Sequence, residues 1–180
     1  MKTVFLMIAR VLYDKGYQEY VDAARIIRRE YPSTEFRLLG RIDEEYPSHV
    51  PAEVVQRDHD EGTIRYLGFQ SDVRSYIKEA DCIVHPTFYN EGMSRVLMEA
   101  MALRKPIITT DIPGCRETVE IGKNGYLVAP RNVYGLVQAI CDFLSLTKEE
   151  RMRMGQYSRE KTEREFDVKN VIAVYRKITG

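Results

Sequence analysis

Six short apolar runs, nearly all separated by stretches with helical spacing, limit most tightly what this 180-residue chain can fold into. TVFLMIA (3–9) precedes Gly16 and a segment in which Tyr17, Tyr20, Val21, Ala24, Ile27 and Tyr31 recur at helical intervals before Pro32. EFRLLG (35–40), TIRYLGF (63–69), CIVHPT (82–87), PIITTD (106–111) and GYLVAP (125–130) supply five more strand-like runs. The spacing predicts short helices near 49–57, over 71–80 with Ser71 as cap, from about Gly92, and around 114–120. A longer one carries Val133, Leu136, Val137, Ile140 and Leu144. Such alternation predicts parallel βαβ units with right-handed crossovers. The fold class is therefore α/β, a Rossmann-like doubly wound parallel sheet of about six strands over residues 1–146. Residues 147–165 are densely charged, and 168–178 place Val168, Val171, Ile172, Tyr175 and Ile178 on one helical face. The segment 147–180 is thus expected to be helical and to pack elsewhere than between two strands.

Charge and cysteine content remove several function classes. Lys plus Arg and Asp plus Glu stand at 27 each, so no net field recruits nucleic acid or an acidic membrane. No apolar run approaches the ~18 residues needed to cross a bilayer, and the first residues do not read as a signal peptide. A soluble, cytoplasmic chain is expected. Cys82, Cys115 and Cys141 are widely separated and lack C-x-x-C spacing, which argues for reduced thiols without a disulfide frame or zinc site. There is no G-x-G-x-x-G, and GKNG (122–125) lacks the remaining elements of a P-loop.

The chemistry concentrates in FYNEGMSRVLMEAMA (88–102). On a helix, Met93, Val96, Leu97 and Ala100 make one apolar stripe, with Glu91, Arg95 and Glu99 on the opposite ridge. Geometry alone also fits a solvated Glu–Arg–Glu ladder. The position argues further, because ligands of doubly wound sheets bind at the carboxyl ends of strands, where helix N-termini attract anions. Gly92 and Ser94 are small enough for a phosphate to approach the backbone. Two carboxylates eight residues apart on a helix are separated by about 12 Å. That is too far for a glycosidase pair, at ~5–9.5 Å, but suits a sugar and a ribose joined through a diphosphate.

EGMSRVLME resembles the E-x7-E motif of retaining, nucleotide-sugar-dependent glycosyltransferases with the GT-B fold (group 1 type). Four other stretches resemble landmarks of that family in order: IARVLYDKG (8–16), IRYLGFQSDV (64–73), EADCIVHPT (79–87) and KPIITTDIPGCRETVEIGKNGYLVAP (105–130). The resemblance implies that Arg10 and Lys15 neutralise the donor diphosphate, Glu91 holds the donor sugar and Glu99 the ribose. The amides of Gly92, Met93, Ser94 and Arg95 would face phosphates or sugar, and Phe69 the nucleobase. Arg10, Lys15 and Glu91 are the implied catalytic set, with no cofactor and no metal. Arg95 stands where the motif is usually apolar, and Met93 where an aromatic residue is common.

The resemblance further implies a nucleotide diphosphate sugar as donor, with UDP favoured over GDP. The acceptor would be a glycan or polyprenyl-linked molecule in bacterial surface polysaccharide synthesis, handled at the inner membrane face. An N-terminal acceptor-binding domain would complete the cleft. It is expected to be missing from this chain, with the last helices leading back toward it. Two rivals share the architecture: a sugar-nucleotide epimerase and a non-catalytic nucleotide-binding module. Asp58-His59-Asp60 mimics a metal-binding DxD sequence but is expected to be a solvated turn. His85 reads as a core or rim histidine with donor contact as the alternative, and Glu117 as either support or donor contact.

Overall fold

The computed structural model describes residues 1–90 and 92–166; Glu91 and the expected helix over 168–178 lie outside the described residues. The strands are β1 (Thr3–Ile8), β2 (Thr34–Leu39), β3 (Arg65–Tyr66), β4 (Cys82–His85), β5 (Ile107–Thr110) and β6 (Gly125–Val128). They form one sheet in the order β3-β2-β1-β4-β5-β6, with all pairs parallel. The described helices are α1 (Tyr17–Glu30), α2 (Ala52–Asp60), α3 (Arg74–Glu79), α4 (Arg95–Ala102), α5 (Val133–Ser145) and α6 (Lys148–Glu165).

Strand alternation divides the core into two layers. Phe5, Met7, Phe36, Val84 and Ile108 face α1, α2 and α5, where Tyr20, Ile27, Val55 and Phe143 close the packing. Leu6, Ile8, Ile83 and Ile107 face α3 and α4, against Ile77, Leu97, Ala100 and Met101. Both faces are covered, which explains why the strands read as near-continuous apolar runs. The buried Tyr20 hydroxyl donates to the Arg37 carbonyl (2.8 Å), with the Phe5 carbonyl at 3.1 Å, tying α1 to the β1–β2 ladder.

Several boundaries move, each for a local reason. The third strand shrinks from 63–69 to two residues, because the N–H groups of Thr63 and Ile64 turn back to the Asp58 carbonyl. Gly68 then bends the chain at φ +69°. Helix α3 starts three residues after Ser71; Val73 occupies the cap position, and the Asp72 carboxylate accepts the Arg74 N–H at 3.0 Å. The segment 114–120 makes only one 3₁₀ turn (Arg116–Thr118), since Thr118 bonds back to the Cys115 carbonyl and the Asn124 side chain takes the Glu120 N–H. Helix α6 opens with a Thr147–Glu150 capping box and packs back on α4, where Arg159 reaches the Ala102 carbonyl at 2.9 Å. Among the described residues no helix is long and apolar enough to cross a membrane.

Candidate functional site

Strands β1 and β4 are neighbours although the chain order reverses between them, which opens a crevice at their carboxyl ends. After β1 the chain runs through Arg10 into a 3₁₀ turn (Tyr13–Lys15) closed by Gly16 at φ +88°. A Cβ at Gly16 would stand 2.2 Å from the Pro86 carbonyl oxygen, so only glycine lets this turn meet the loop after β4. That loop is held in return: the Phe88 N–H donates to the Asp14 carbonyl (3.0 Å), and the Thr109 hydroxyl to the His85 carbonyl (2.7 Å). The result sets Lys15, 8% exposed, beside His85. On the other side of β1, a Cβ at Gly40 would fall 1.7 Å from the Ala9 carbonyl oxygen, so the backbones leaving the parallel β1 and β2 run in near contact.

Helix α4 begins at Arg95 rather than near Gly92, with Ser94 as its cap. The Ser94 Oγ accepts the Leu97 N–H at 3.4 Å, and its own N–H donates to the Gly114 carbonyl at 3.2 Å. The Ser94 amide is therefore already engaged. The N–H groups of Gly92, Met93, Arg95 and Val96 meet no acceptor among the described residues and leave an open edge of donors at the start of α4. Met93 lies outside the apolar stripe and is exposed; Met101 joins Leu97 and Ala100 in the core instead. The later start also means that helical rise does not set the spacing of the two glutamates. Arg95 is exposed and forms no ion pair with Glu99 among the described residues.

Three hollows line up along this edge. One of about 290 Å³ brings together Arg10, Lys15, His85 and the backbone from Gly92 to Val96. A second, about 460 Å³, shares Ile8, Ala9, Arg10 and Val96 with the first and is closed by Gly40, Phe69 and Val73. Phe69 is 59% exposed with the Arg41 guanidinium 4.8 Å from its ring centre, so it is a surface aromatic, not a core one. Glu99 lines a third hollow with Ser71, Asp72, Val73 and Arg74, adjoining the second through Val73. The structure thus brings Arg10, Lys15, Gly92, Met93, Ser94 and Arg95 to one cleft, sets Phe69 next to it, and leaves Glu99 one step beyond.

The electrostatics suit an anion. Burial, then the nearby Arg10, lowers the Lys15 pKa from 10.5 to about 8. Its ammonium lies 4.2 Å from the Tyr89 ring centre, while Arg10 sits 4.8 Å from the Tyr46 ring centre and 3.7 Å from Asp43. Tyr46, Tyr89 and Asp43 escape sequence reasoning because none belongs to a periodic pattern. FYNEG in hindsight carries the Tyr89 signal, an aromatic two residues before the first glutamate.

Other singled-out residues make contacts within the fold. Asp58-His59-Asp60 is the last turn of α2, not a solvated loop. Asp58 is 1% exposed and accepts from the Tyr17 hydroxyl (2.7 Å) and Arg25 (2.6 Å), while His59 Nδ1 accepts the Tyr66 N–H at 3.1 Å. Glu117 accepts the Gly114 N–H at 2.8 Å, bracing the turn before the 3₁₀ segment. All three cysteines are free.

Fold and cleft together define a Rossmann-like domain with fixed cations and helix amides at its switch point. The model of the glycosyl transferases group 1 family matches residues 1–161, and the chain belongs to that family. It is 31% identical over 153 residues to the N,N'-diacetylbacillosaminyl-diphospho-undecaprenol alpha-1,3-N-acetylgalactosaminyltransferase of Campylobacter jejuni, covering 85% of this chain and 38% of the relative. Among solved structures, HepE of Anabaena in complex with UDP superposes with a TM-score of 0.84 at 21% identity, covering 99% of this chain and 49% of that one. The C-terminal domain of a group 1 glycosyl transferase (LpcC) from Francisella tularensis gives 0.76 at 21% identity, covering 92% and 87%. The sheet is the Rossmann-like unit of the GT-B fold, and the chain spans half or less of the length of the curated relatives it matches.

Proposed function

We propose that this chain binds the nucleotide diphosphate sugar of a retaining glycosyltransferase, with UDP as the nucleotide. The observation that carries the reading is the convergence of Arg10, Lys15 and the open amides before α4 on one cleft at the switch point. In the reaction, the bond between the anomeric carbon and the diphosphate oxygen breaks, and negative charge develops on that oxygen. Fixed cations and backbone dipoles aimed at it lower the barrier without a metal ion. Glu91 takes hydroxyls of the donor sugar, Glu99 those of the ribose, and Phe69 lies by the base. In the complete enzyme an acceptor-binding domain closes the cleft and presents a glycan or polyprenyl-linked hydroxyl. Bacterial surface polysaccharide synthesis is the setting, in the cytoplasm at the inner membrane face. The names of relatives support it: a diphospho-undecaprenol N-acetylgalactosaminyltransferase and putative colanic acid biosynthesis glycosyltransferases of Escherichia coli and Salmonella typhimurium. The HepE complex with UDP supports the nucleotide.

Calorimetry with UDP and uridine on wild type, Arg10→Ala and Lys15→Ala tests the reading. Each variant should lose roughly 10- to 150-fold in UDP affinity, the worth of a hydrogen bond to a charged group, with uridine nearly unaffected. Chelator should change nothing. Equal losses for both ligands would remove the diphosphate from this cleft, and a requirement for Mg²⁺ or Mn²⁺ would remove the metal-free mechanism.

A further inference from the structure

His85 ends β4 on the face that carries Ile83 and α4, and it is among the residues that line the 290 Å³ cleft. It is 3% exposed, yet neither Nδ1 nor Nε2 meets a hydrogen-bond partner among the described residues. An imidazole offers one donor and one acceptor when neutral, and leaving both unmet in the interior is costly. A core position on the α4 face would be better filled by an aliphatic residue, as at Ile83 two positions earlier. The neighbouring polar groups of that strand end are satisfied: the His85 carbonyl by Thr109, the Thr87 hydroxyl by the Asp14 carbonyl and the Tyr89 N–H. The ring nitrogens are unmet among the described residues, and His85 lines the same hollow as Lys15 and the open amides of Gly92, Met93 and Arg95.

We infer that His85 is a donor-contacting residue, whose ring N–H donates a hydrogen bond from the floor of the cleft to a phosphate oxygen of the bound nucleotide diphosphate. The inference rests on the donor-site reading above and adds a ligand to it. An oxyanion fits better than a sugar hydroxyl because the charged residues lining this hollow, among the described residues, are the cations Arg10, Lys15 and Arg95, beside the open amides of Gly92, Met93 and Arg95. Burial, with Lys15 adding to it, lowers the imidazole pKa from 6.5 to about 4, so the ring is neutral at pH 7. A neutral ring offers the phosphate one donor without a competing counter-charge in the empty cleft.

The test compares His85→Leu and His85→Gln with wild type, using UDP and uridine as titrants. Leucine removes the donor while filling similar volume, so UDP affinity should fall roughly 10- to 150-fold with uridine affinity unchanged. Its melting temperature should equal or exceed that of wild type, because two orphaned ring nitrogens leave the interior. Glutamine keeps an N–H donor and should retain UDP affinity within a few fold. In wild type, the His85 ring-nitrogen resonances should shift on saturation with UDP and stay put with uridine, a readout independent of whether either variant folds. Unshifted ring nitrogens in the UDP complex, or a folded His85→Leu with wild-type UDP affinity, would overturn the inference. Lys15→Ala separates the two failures. If it loses UDP while His85→Leu does not, His85 alone is misassigned; if neither loses UDP, the donor-site reading itself falls.

Discussion

Raising the pH from 7 to 9 should weaken UDP binding about tenfold through Lys15 alone. The magnitude follows from position. Lys15 is 8% exposed and Arg10 is close, so its pKa falls from 10.5 to about 8. Depressed in the folded protein, it binds protons less readily there than in the unfolded chain. Below pH 8 it is charged at a cost to stability, and that cost is relieved as pH climbs through 8 toward 10.5. A diphosphate beside the ammonium favours the charged form and restores a higher pKa. Ligand binding and proton binding are therefore linked. Between pH 8 and the pKa of the complex, affinity should drop about tenfold per pH unit, while at pH 7 it is nearly flat. Calorimetry at pH 7, 8 and 9 measures this, with uridine as the control that lacks the diphosphate. Lys15→Arg keeps its charge across the range and should flatten the profile. A flat wild-type profile, or an equal decline for uridine, would refute the placement of Lys15 on the diphosphate.

Gly16→Ala combines a left-handed backbone at φ +88° with a Cβ 2.2 Å from the Pro86 oxygen, so it should cost about 2–4 kcal/mol. Thermal melting should show a drop of about 5–15 °C. His85 carries a folded pKa of about 4 against 6.5 unfolded, so its neutral form contributes stability above pH 6.5 that is lost as pH falls toward 4. That loss reaches about 3 kcal/mol, and urea titrations of His85→Leu should show a correspondingly shallower decline across the same window. The two motif glutamates should fail differently: Glu99→Ala weakens UDP itself, whereas Glu91→Ala weakens the nucleotide sugar and spares UDP. Equal losses for both ligands in both variants would end that division of labour.

The strand–helix alternation was legible because both faces of the sheet are covered, so each strand appears as a dense apolar run bounded by Gly, Pro or charged residues. Its ends were not, since they depend on contacts distant in sequence. The Asp58 carbonyl captures Thr63 and Ile64 and cuts β3 short, and the Gly114 carbonyl takes the Ser94 N–H at the cap of α4. Periodicity counted Met93 into the apolar stripe because it cannot see where a helix starts. Arg10, Lys15 and the Gly92–Arg95 backbone were readable from motif order, and they converge on one cleft. The DHD sequence misled as a solvated turn because the partners that bury Asp58, Tyr17 and Arg25, come from α1. The orphaned state of the His85 ring has no sequence signature at all; it exists only once β4 and the Lys15 turn are clamped together.

The central claim is that the cleft between the Lys15 turn and the N-terminus of α4 binds a nucleotide diphosphate. Titrating the protein with UDP in the presence of chelator, beside uridine and GDP, addresses it most directly. The account predicts saturable binding of UDP with a dissociation constant of ~0.1–1 mM, or tighter with an acceptor domain closing the cleft, and far weaker binding of uridine. UDP bound no better than uridine, or bound only when a divalent metal is added, would contradict it.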